Sequence, residues 1–413
     1  MTTRNTPPPQ RDDTVLLTGA TGFLGMELLA RLLDDTDRRV LALIRARSDD
    51  EAQSRLRTTL AGLFDDPAPH ADRVVALRGD LTSPGLGLDP AARELALGAS
   101  EIIHGAASVT FDLPLDESRA INVDGTRRML DLAEEAHERG TLRRFTYVST
   151  AYVAGDCGGR VREQAGAPRR RFRNSYEHSK SEAETLVQAR LHRLPVTIAR
   201  PSIVVGDRMT GWTASFNVIY SPLRAFASGA FSMLPARRRS PVDVVSVDYV
   251  ARAVLALSAA PEAAGGTFHV VAGDRAHTVG ELLDDATERF GQRRPTCVSP
   301  RLYRTLLHPL AMRRSSRSAR RLLKRNEVYF PYFGMRMRFD DQEARAILDP
   351  LDIRPEPLLN YFGALVEFAQ AASWGRRPIG RAQAQMLART APAQTSRAQL
   401  RMPGGVHAPV HSR

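Results

Sequence analysis

Tyr176 and Lys180 lie four residues apart in Tyr-Glu-His-Ser-Lys, so on a helix their side chains share one face, a turn from each other. A free tyrosine titrates near about 10 and is a protonated phenol at neutral pH. A neighbouring cation favours the phenolate, lowers that value and makes the hydroxyl a usable proton donor and acceptor. Tyr-x-x-x-Lys pairs are common in proteins, but of the 58 basic residues here only Lys180 and Lys324 are lysine, so the coincidence carries weight. Upstream, an apolar run ends in Tyr147-Val148-Ser149-Thr150. A hydroxyl there could stabilise charge developing on a carbonyl oxygen, or could simply cap a turn. Asn122, in Ile121-Asn122-Val123-Asp124-Gly125-Thr126, is a poor helix former within a helical pattern; its side chain could orient the lysine, directly or through water.

A second group of residues suits a dinucleotide. The run Thr18-Gly19-Ala20-Thr21-Gly22-Phe23-Leu24-Gly25 follows an apolar strand pattern and opens a helix whose Leu24, Leu28, Leu29 and Leu32 share a face. Glycines there permit a tight turn and let backbone N–H groups reach a pyrophosphate at the helix N-terminus. The predicted cradle is Gly19, Thr21, Gly22, Phe23, Leu24 and Gly25. At the end of the second strand pattern, where an acidic residue would bind the ribose of NAD, stand Arg45 and Arg47. A guanidinium fork matches the 2′-phosphate of NADP, so NADPH is the expected cofactor. Asp80 and Leu81 fall where an adenine contact belongs, and Ala106 and Ala107, in His104-Gly105-Ala106-Ala107-Ser108, are small enough to let a cofactor lie against backbone. His104 lacks partners at metal-ligand spacing, so no metal site is expected.

These residues need strands and helices to position them. Short Val/Ile/Leu-rich runs near 14–18, 40–44, 73–77, 101–104, 144–148, 195–199 and 267–271 read as strands. Helical patterns near 23–34, 49–62, 115–139, 176–193 and 247–259 separate them. The alternation implies an α/β fold: a doubly wound parallel Rossmann sheet with a smaller, mostly helical C-terminal substrate-binding part. The expected division is a disordered N-terminus over 1–13, a nucleotide-binding domain over 14–275 with a pocket-forming excursion at 206–242, a substrate or lid region over 276–375, and a disordered basic tail over 376–413.

Over about 14–275 the chain resembles the extended short-chain dehydrogenase/reductases. Within them it is similar to the branch holding fatty acyl-CoA reductases and the thioester reductase domains of carboxylic acid reductases and of peptide or polyketide synthases. The glycine turn and the Tyr176/Lys180 pair mark the superfamily. Leu43-Ile44-Arg45-Ala46-Arg47-Ser48 and Ala199-Arg200-Pro201-Ser202-Ile203-Val204-Val205-Gly206 mark the branch, beside Gly79-Asp80-Leu81-Thr82 and Ser149-Thr150-Ala151-Tyr152-Val153. The resemblance implies that Tyr176 is the acid at the carbonyl oxygen and that Lys180 activates it and binds the cofactor ribose. Thr150 would be the hydroxyl partner, with Ser149 as the alternative one position away, and Asn122 would complete the set. It further implies reduction of an acyl thioester, delivered on coenzyme A or an acyl carrier protein, to an aldehyde and then in some cases to an alcohol. Rival expectations are a related enzyme acting on a steroid or flavonoid ketone or alcohol, a nucleotide-sugar epimerase, and a non-catalytic NADP-binding scaffold.

Composition excludes other classes. With 413 residues, 43% of them hydrophobic, the chain can build a large core. Cys157 and Cys297 cannot make a disulfide framework, and neither a signal-peptide core nor an apolar run of membrane-spanning length is present, so a cytoplasmic setting is expected. The net charge of +12 is concentrated in 293–325, which holds eleven Arg/Lys and no Asp or Glu among interleaved leucines. Such a stretch could lie on an anionic membrane surface, dock an acidic carrier or coenzyme A phosphates, or be a solvated helix face. Nucleic-acid binding is not expected, because no recognised module accompanies the charge. Nine of the 26 aromatic residues fall between 329 and 374, among them Phe330, Tyr332, Phe333, Tyr361, Phe362 and Trp374; they could line an acyl channel or form the core of a lid.

Overall fold

The computed structural model describes residues 13–390 apart from 165–170, 217, 230–232, 304, 306–308, 310–319 and 321–326. All seven expected strands form: β1 (Thr14–Thr18), β2 (Arg39–Ile44), β3 (Val74–Arg78), β4 (Glu101–His104), β5 (Arg144–Val148), β6 (Val196–Pro201) and β7 (Thr267–Val270). They make one parallel sheet in the order β7-β6-β5-β4-β1-β2-β3. Helices α1 (Phe23–Asp35), α2 (Asp49–Leu63), α3 (Pro90–Leu97), α4 (Leu115–Glu138), α5 (Ser175–Gln188), α6 (Tyr220–Ala227), α7 (Val247–Ala259), α8 (Val279–Phe290), α9 (Leu358–Ala371) and α10 (Arg381–Thr390) connect or cover it. The helix α3 is an addition to the sequence reading, opened by Pro90 and capped by Asp89.

Both faces of the sheet are covered, which is why its strands are apolar at consecutive positions rather than alternately. On β1, Val15 and Leu17 belong to a core built with α1, α2 and α7, while Leu16 belongs to the opposite core, with Ile102, Met129 and Val187. The chain proceeds outward from β1 in one direction through β2 and β3 and in the other through β4 to β7. The order therefore reverses between β1 and β4, and a crevice opens beyond their carboxyl ends, where open α/β sheets bind ligands.

The later part of the chain is woven into this sheet domain. A short strand, Met337–Phe339, pairs with Gly159–Val161, and His277–Thr278 pairs with Pro241–Val242. Ala344, Leu348, Phe368 and Ala384 lie in the same core as α1. The excursion at 206–242 contains α6, packed beneath α9 and α8 in a core that includes Tyr220, Phe226, Phe362 and Leu365.

The expected disordered tail requires correction as far as Thr390. Residues Arg381–Thr390 form α10, and Arg381 pairs with Glu27 at 2.9 Å and Asp34 at 3.3 Å. Glu27 is 1% exposed on the otherwise apolar inner side of α1, and a carboxylate so placed needs counter-ions; Arg31 and Arg381 supply them. At the other end, Asp13 is fixed by Arg38 and Arg143. Residues 1–12 and 391–413 lie outside the described residues, as does most of 293–325. Among the described residues no helix is long and apolar enough to cross a membrane.

Candidate active site

A cleft of about 650 Å3 occupies the crevice at the β1/β4 reversal. One end is made of backbone. Gly19 has φ +83°, and a Cβ at Gly25 would stand 1.9 Å from the carbonyl oxygen of Gly19, so the first turn of α1 packs on the strand end only as glycine. Gly22 caps α1 without a side-chain hydrogen bond, and the first turn carries no acidic residue. The N–H groups of that turn and the helix dipole are thus left to an anion, as a pyrophosphate requires. Thr21, Phe23, Leu24, Ala106 and Ala107 also line this end.

Past the end of β2, Arg45 lines the cleft, but Arg47 is not among its lining residues. Two positions on, the exposed Arg47 donates its backbone N–H to Glu51 at 2.9 Å as the chain turns into α2, with Ser48 as the cap. Its place is taken by Arg55 of α2, which lines the cleft and donates to the carbonyl oxygen of Arg45. Arg55 was not foreseen, because its nearness to Arg45 comes from the packing of α2 rather than from spacing. Asp80 and Leu81 also line the cleft, and Asp80 Oδ1 accepts from the Thr82 N–H and hydroxyl at 2.8 Å each, which fixes the bend after β3.

The other end is made of side chains. Tyr176 and Lys180, on α5, both face the cleft, as do Ser149 and Thr150 just past β5. The Thr150 hydroxyl stands beside the phenol of Tyr176 in the cleft. Burial nevertheless pushes Tyr176 up to about 12, and the Thr150 hydroxyl offsets that only in part. The expected lowering of this phenol by the lysine is therefore not seen. Lys180 is itself pushed down to about 7 by burial, with the nearby Glu184 carboxylate opposing the shift. Its Nζ donates to the Tyr147 hydroxyl at 2.7 Å and to the Val148 carbonyl at 2.8 Å.

Ser149 and Thr150 separate by partner. The Ser149 hydroxyl donates to Glu184, which is clamped by Arg200 in a buried ion pair. That hydroxyl is committed to the protein interior. The Thr150 hydroxyl makes only long contacts besides Tyr176, to Pro201 O at 3.4 Å and from Tyr152 N at 3.3 Å. Among the direct hydrogen bonds of Asn122 none is to Lys180. Its side chain accepts from Ser108 N at 2.8 Å and donates to Ser108 O at 3.1 Å and to Ser179 Oγ at 2.9 Å. It staples the loop after β4 to α5.

Aromatic residues close this end. Phe111 stacks on Tyr176 with ring centroids 5.7 Å apart and on Tyr332 at 5.5 Å. The Tyr332 hydroxyl donates at 2.7 Å to Glu177, a fully buried carboxylate next to Tyr176 that also pairs with Arg173. Of the aromatic cluster, Tyr332 reaches this cleft; Tyr361 and Phe362 are buried in the core beneath α6, and Phe333 lines a small apolar cavity between α6 and α8.

A family model described as male sterility protein matches residues 17–254. The isonitrile lipopeptide synthase of Streptomyces coeruleorubidus is 39% identical over 220 residues, which are 52% of this chain and 14% of the synthase. Human fatty acyl-CoA reductase 1 is 30% identical over 280 residues, covering 59% of this chain and 53% of that enzyme. The chain thus spans a small part of the first and about half of the second. Among solved structures, the terminal R domain from the myxalamid PKS-NRPS biosynthetic pathway superposes with a TM-score of 0.76 at 28% identity, covering 90% of this chain and 94% of the domain. With its sheet, glycine turn and Tyr176/Lys180 helix accounted for, the chain belongs to the male sterility family, the acyl-CoA and thioester reductase branch of the extended short-chain dehydrogenase/reductases.

Proposed function

We propose that this protein is an NADPH-dependent reductase of acyl thioesters. The observation that carries the reading is the single cleft in which a free helix N-terminus, two arginines and the Tyr176–Thr150 pair with Lys180 face one another. Gly19, Thr21, Gly22, Phe23, Leu24, Gly25, Ala106 and Ala107 would hold the dinucleotide, Asp80 and Leu81 its adenine end, and Arg45 with Arg55 its 2′-phosphate. When bound, the nicotinamide supplies a hydride.

The protein's own residues do the rest. Tyr176 and Thr150 donate hydrogen bonds to the thioester carbonyl oxygen, and these strengthen as negative charge grows there. Tyr176 gives that oxygen its proton as the carbonyl carbon becomes a hemithioacetal. Two of the three N–H bonds of Lys180 are spent on Tyr147 and Val148, so the third is left for the ribose. Breaking the C–S bond of the hemithioacetal releases a thiol and an aldehyde; a second round would give the alcohol. The matched relatives include portions of synthases, which supports coenzyme A or a carrier protein as the donor of the acyl group.

The test is to incubate the purified protein and NADPH with a panel of acyl-CoAs and carrier-bound acyl groups, and to identify products by mass spectrometry. Aldehyde or alcohol formed with consumption of NADPH is expected. Activity confined to NAD with a sugar nucleotide, or to a ketone, would overturn the assignment.

A further inference from the structure

The lysine's partner on β5 belongs to a row of polar side chains that crosses the sheet. Thr18, His104 and Tyr147 are register partners at the ends of β1, β4 and β5, so the pleat turns all three to the same face. That face is the one covered by α4 and α5, and each of the three is at most 1% exposed. Thr126 of α4 meets His104, and Lys180 of α5 meets Tyr147 at the end of the row. The next partner, Ile198 on β6, is apolar, so the row stops at Tyr147.

The protons in this row can be assigned one by one. Thr18 Oγ1 accepts from the Ala106 N–H at 3.1 Å and donates to His104 Nδ1 at 2.7 Å. Nδ1 is then the acceptor, and His104 must carry its proton on Nε2, which points to Thr126 Oγ1 at 3.2 Å. Burial, reinforced by the charge of Lys180, keeps this imidazole neutral. Thr126 spends its own proton on Asn122 O at 2.6 Å. Tyr147, whose ring packs on the His104 ring at 5.8 Å, presents its oxygen lone pairs to Lys180 Nζ at 2.7 Å. From the Ala106 N–H of the cofactor loop the donation runs inward through Thr18 and His104 to Thr126, and at the far end Lys180 donates to Tyr147.

We propose that Tyr147 is the positioning residue of Lys180, its ring held against His104 of the Thr126–His104–Thr18 row, so that the loop after β4 and the ammonium group are set by one buried row of polar side chains. The proposal rests on the cofactor and thioester assignment made above, and it gives Tyr147 the task expected of Asn122. It also explains a tyrosine whose ring is buried but whose hydroxyl a phenylalanine would lack.

Tyr147→Phe keeps the ring and removes the acceptor. In the full-length protein it should weaken NADPH binding, read from nicotinamide fluorescence, by about three-fold to ten-fold. It should also lower kcat for an acyl-CoA by about ten-fold to a hundred-fold with KM for the thioester little changed, the order lost when a reacting group is slightly misplaced. Thr126→Val, one link away, should show a smaller loss of the same kind, and Thr126→Ser should restore it. A residue needed only for packing would lower the melting temperature and leave kcat per folded molecule intact. Should Tyr147→Phe fail to fold, the Thr126→Val and Thr126→Ser pair decides by the same criteria. A wild-type protein inert toward thioesters would remove the thioester reading, and NADPH affinity alone would then decide: weaker binding in Tyr147→Phe upholds its role, and unchanged binding removes it. Unchanged kcat and unchanged affinity in an active, folded Tyr147→Phe overturn the proposal.

Discussion

The two ends of the cleft are built in opposite ways. At the nucleotide end the working surface is backbone, namely the glycine turn and the uncapped N-terminus of α1, and side chains matter there chiefly by being absent. At the tyrosine end the working surface is side chain, and each group is held by another: Tyr176 by Thr150 and Phe111, Lys180 by Tyr147, Ser149 by Glu184 and Arg200. The first end should thus fail when an atom is added, and the second when one is removed.

The largest effect should come from adding an atom. Gly25→Ala places a Cβ 1.9 Å from Gly19 O, a backbone clash that must move α1 off β1. NADPH titration should detect no binding, with a lowered melting temperature. Removal at the other end should be graded. Thr150→Val should cost about a hundred-fold in kcat through loss of one donor to the developing oxyanion. Ser149→Ala, whose hydroxyl serves Glu184, should leave kcat near wild type and destabilise by about 1–3 kcal/mol, measured by urea unfolding. If the two exchange behaviours, the division of the adjacent hydroxyls is wrong.

Replacing either Arg45 or Arg55 by alanine should reduce the preference for NADPH over NADH by about ten-fold to a hundred-fold, since each charge-assisted phosphate contact is worth about 1.5–3 kcal/mol. Steady-state kinetics with both dinucleotides measures this, and an unchanged ratio would remove the arginines from cofactor choice. The smallest effect concerns pH. Burial holds Lys180 down to about 7, so its charge disappears as pH rises through that value. Hence kcat/KM for the dinucleotide, which reports the free enzyme, should fall above about pH 7. The same shift acts on folding: between about 7 and the ordinary lysine value the unfolded chain binds the extra proton, so this group's penalty shrinks as pH rises.

The contrast also explains what the sequence could and could not reveal. A backbone device leaves a linear trace, and Gly19, Gly22 and Gly25 could be read directly, as could the seven strands from their apolar runs. Tyr176 and Lys180 were legible because one helix carries both. Groups joined across elements were not. Arg55 reaches Arg45 only through the packing of α2, Asn122 turned out to serve Ser108 and Ser179, and Tyr147 and His104 become neighbours only when β4 and β5 pair in register. The tail looked unstructured because Arg, Ala and Gln give little apolar periodicity. What holds α10 is an ion pair to Glu27, whose position on the inner face of α1 was the available clue.

The most direct test of the chemistry is single-turnover reduction of an acyl thioester by Tyr176→Phe, with NADPH affinity measured on the same preparation. Loss of the phenol proton should slow the reaction by about a hundred-fold to ten-thousand-fold while NADPH binds within about three-fold of wild type. A Tyr176→Phe protein that reduces the thioester at the wild-type rate would contradict the account.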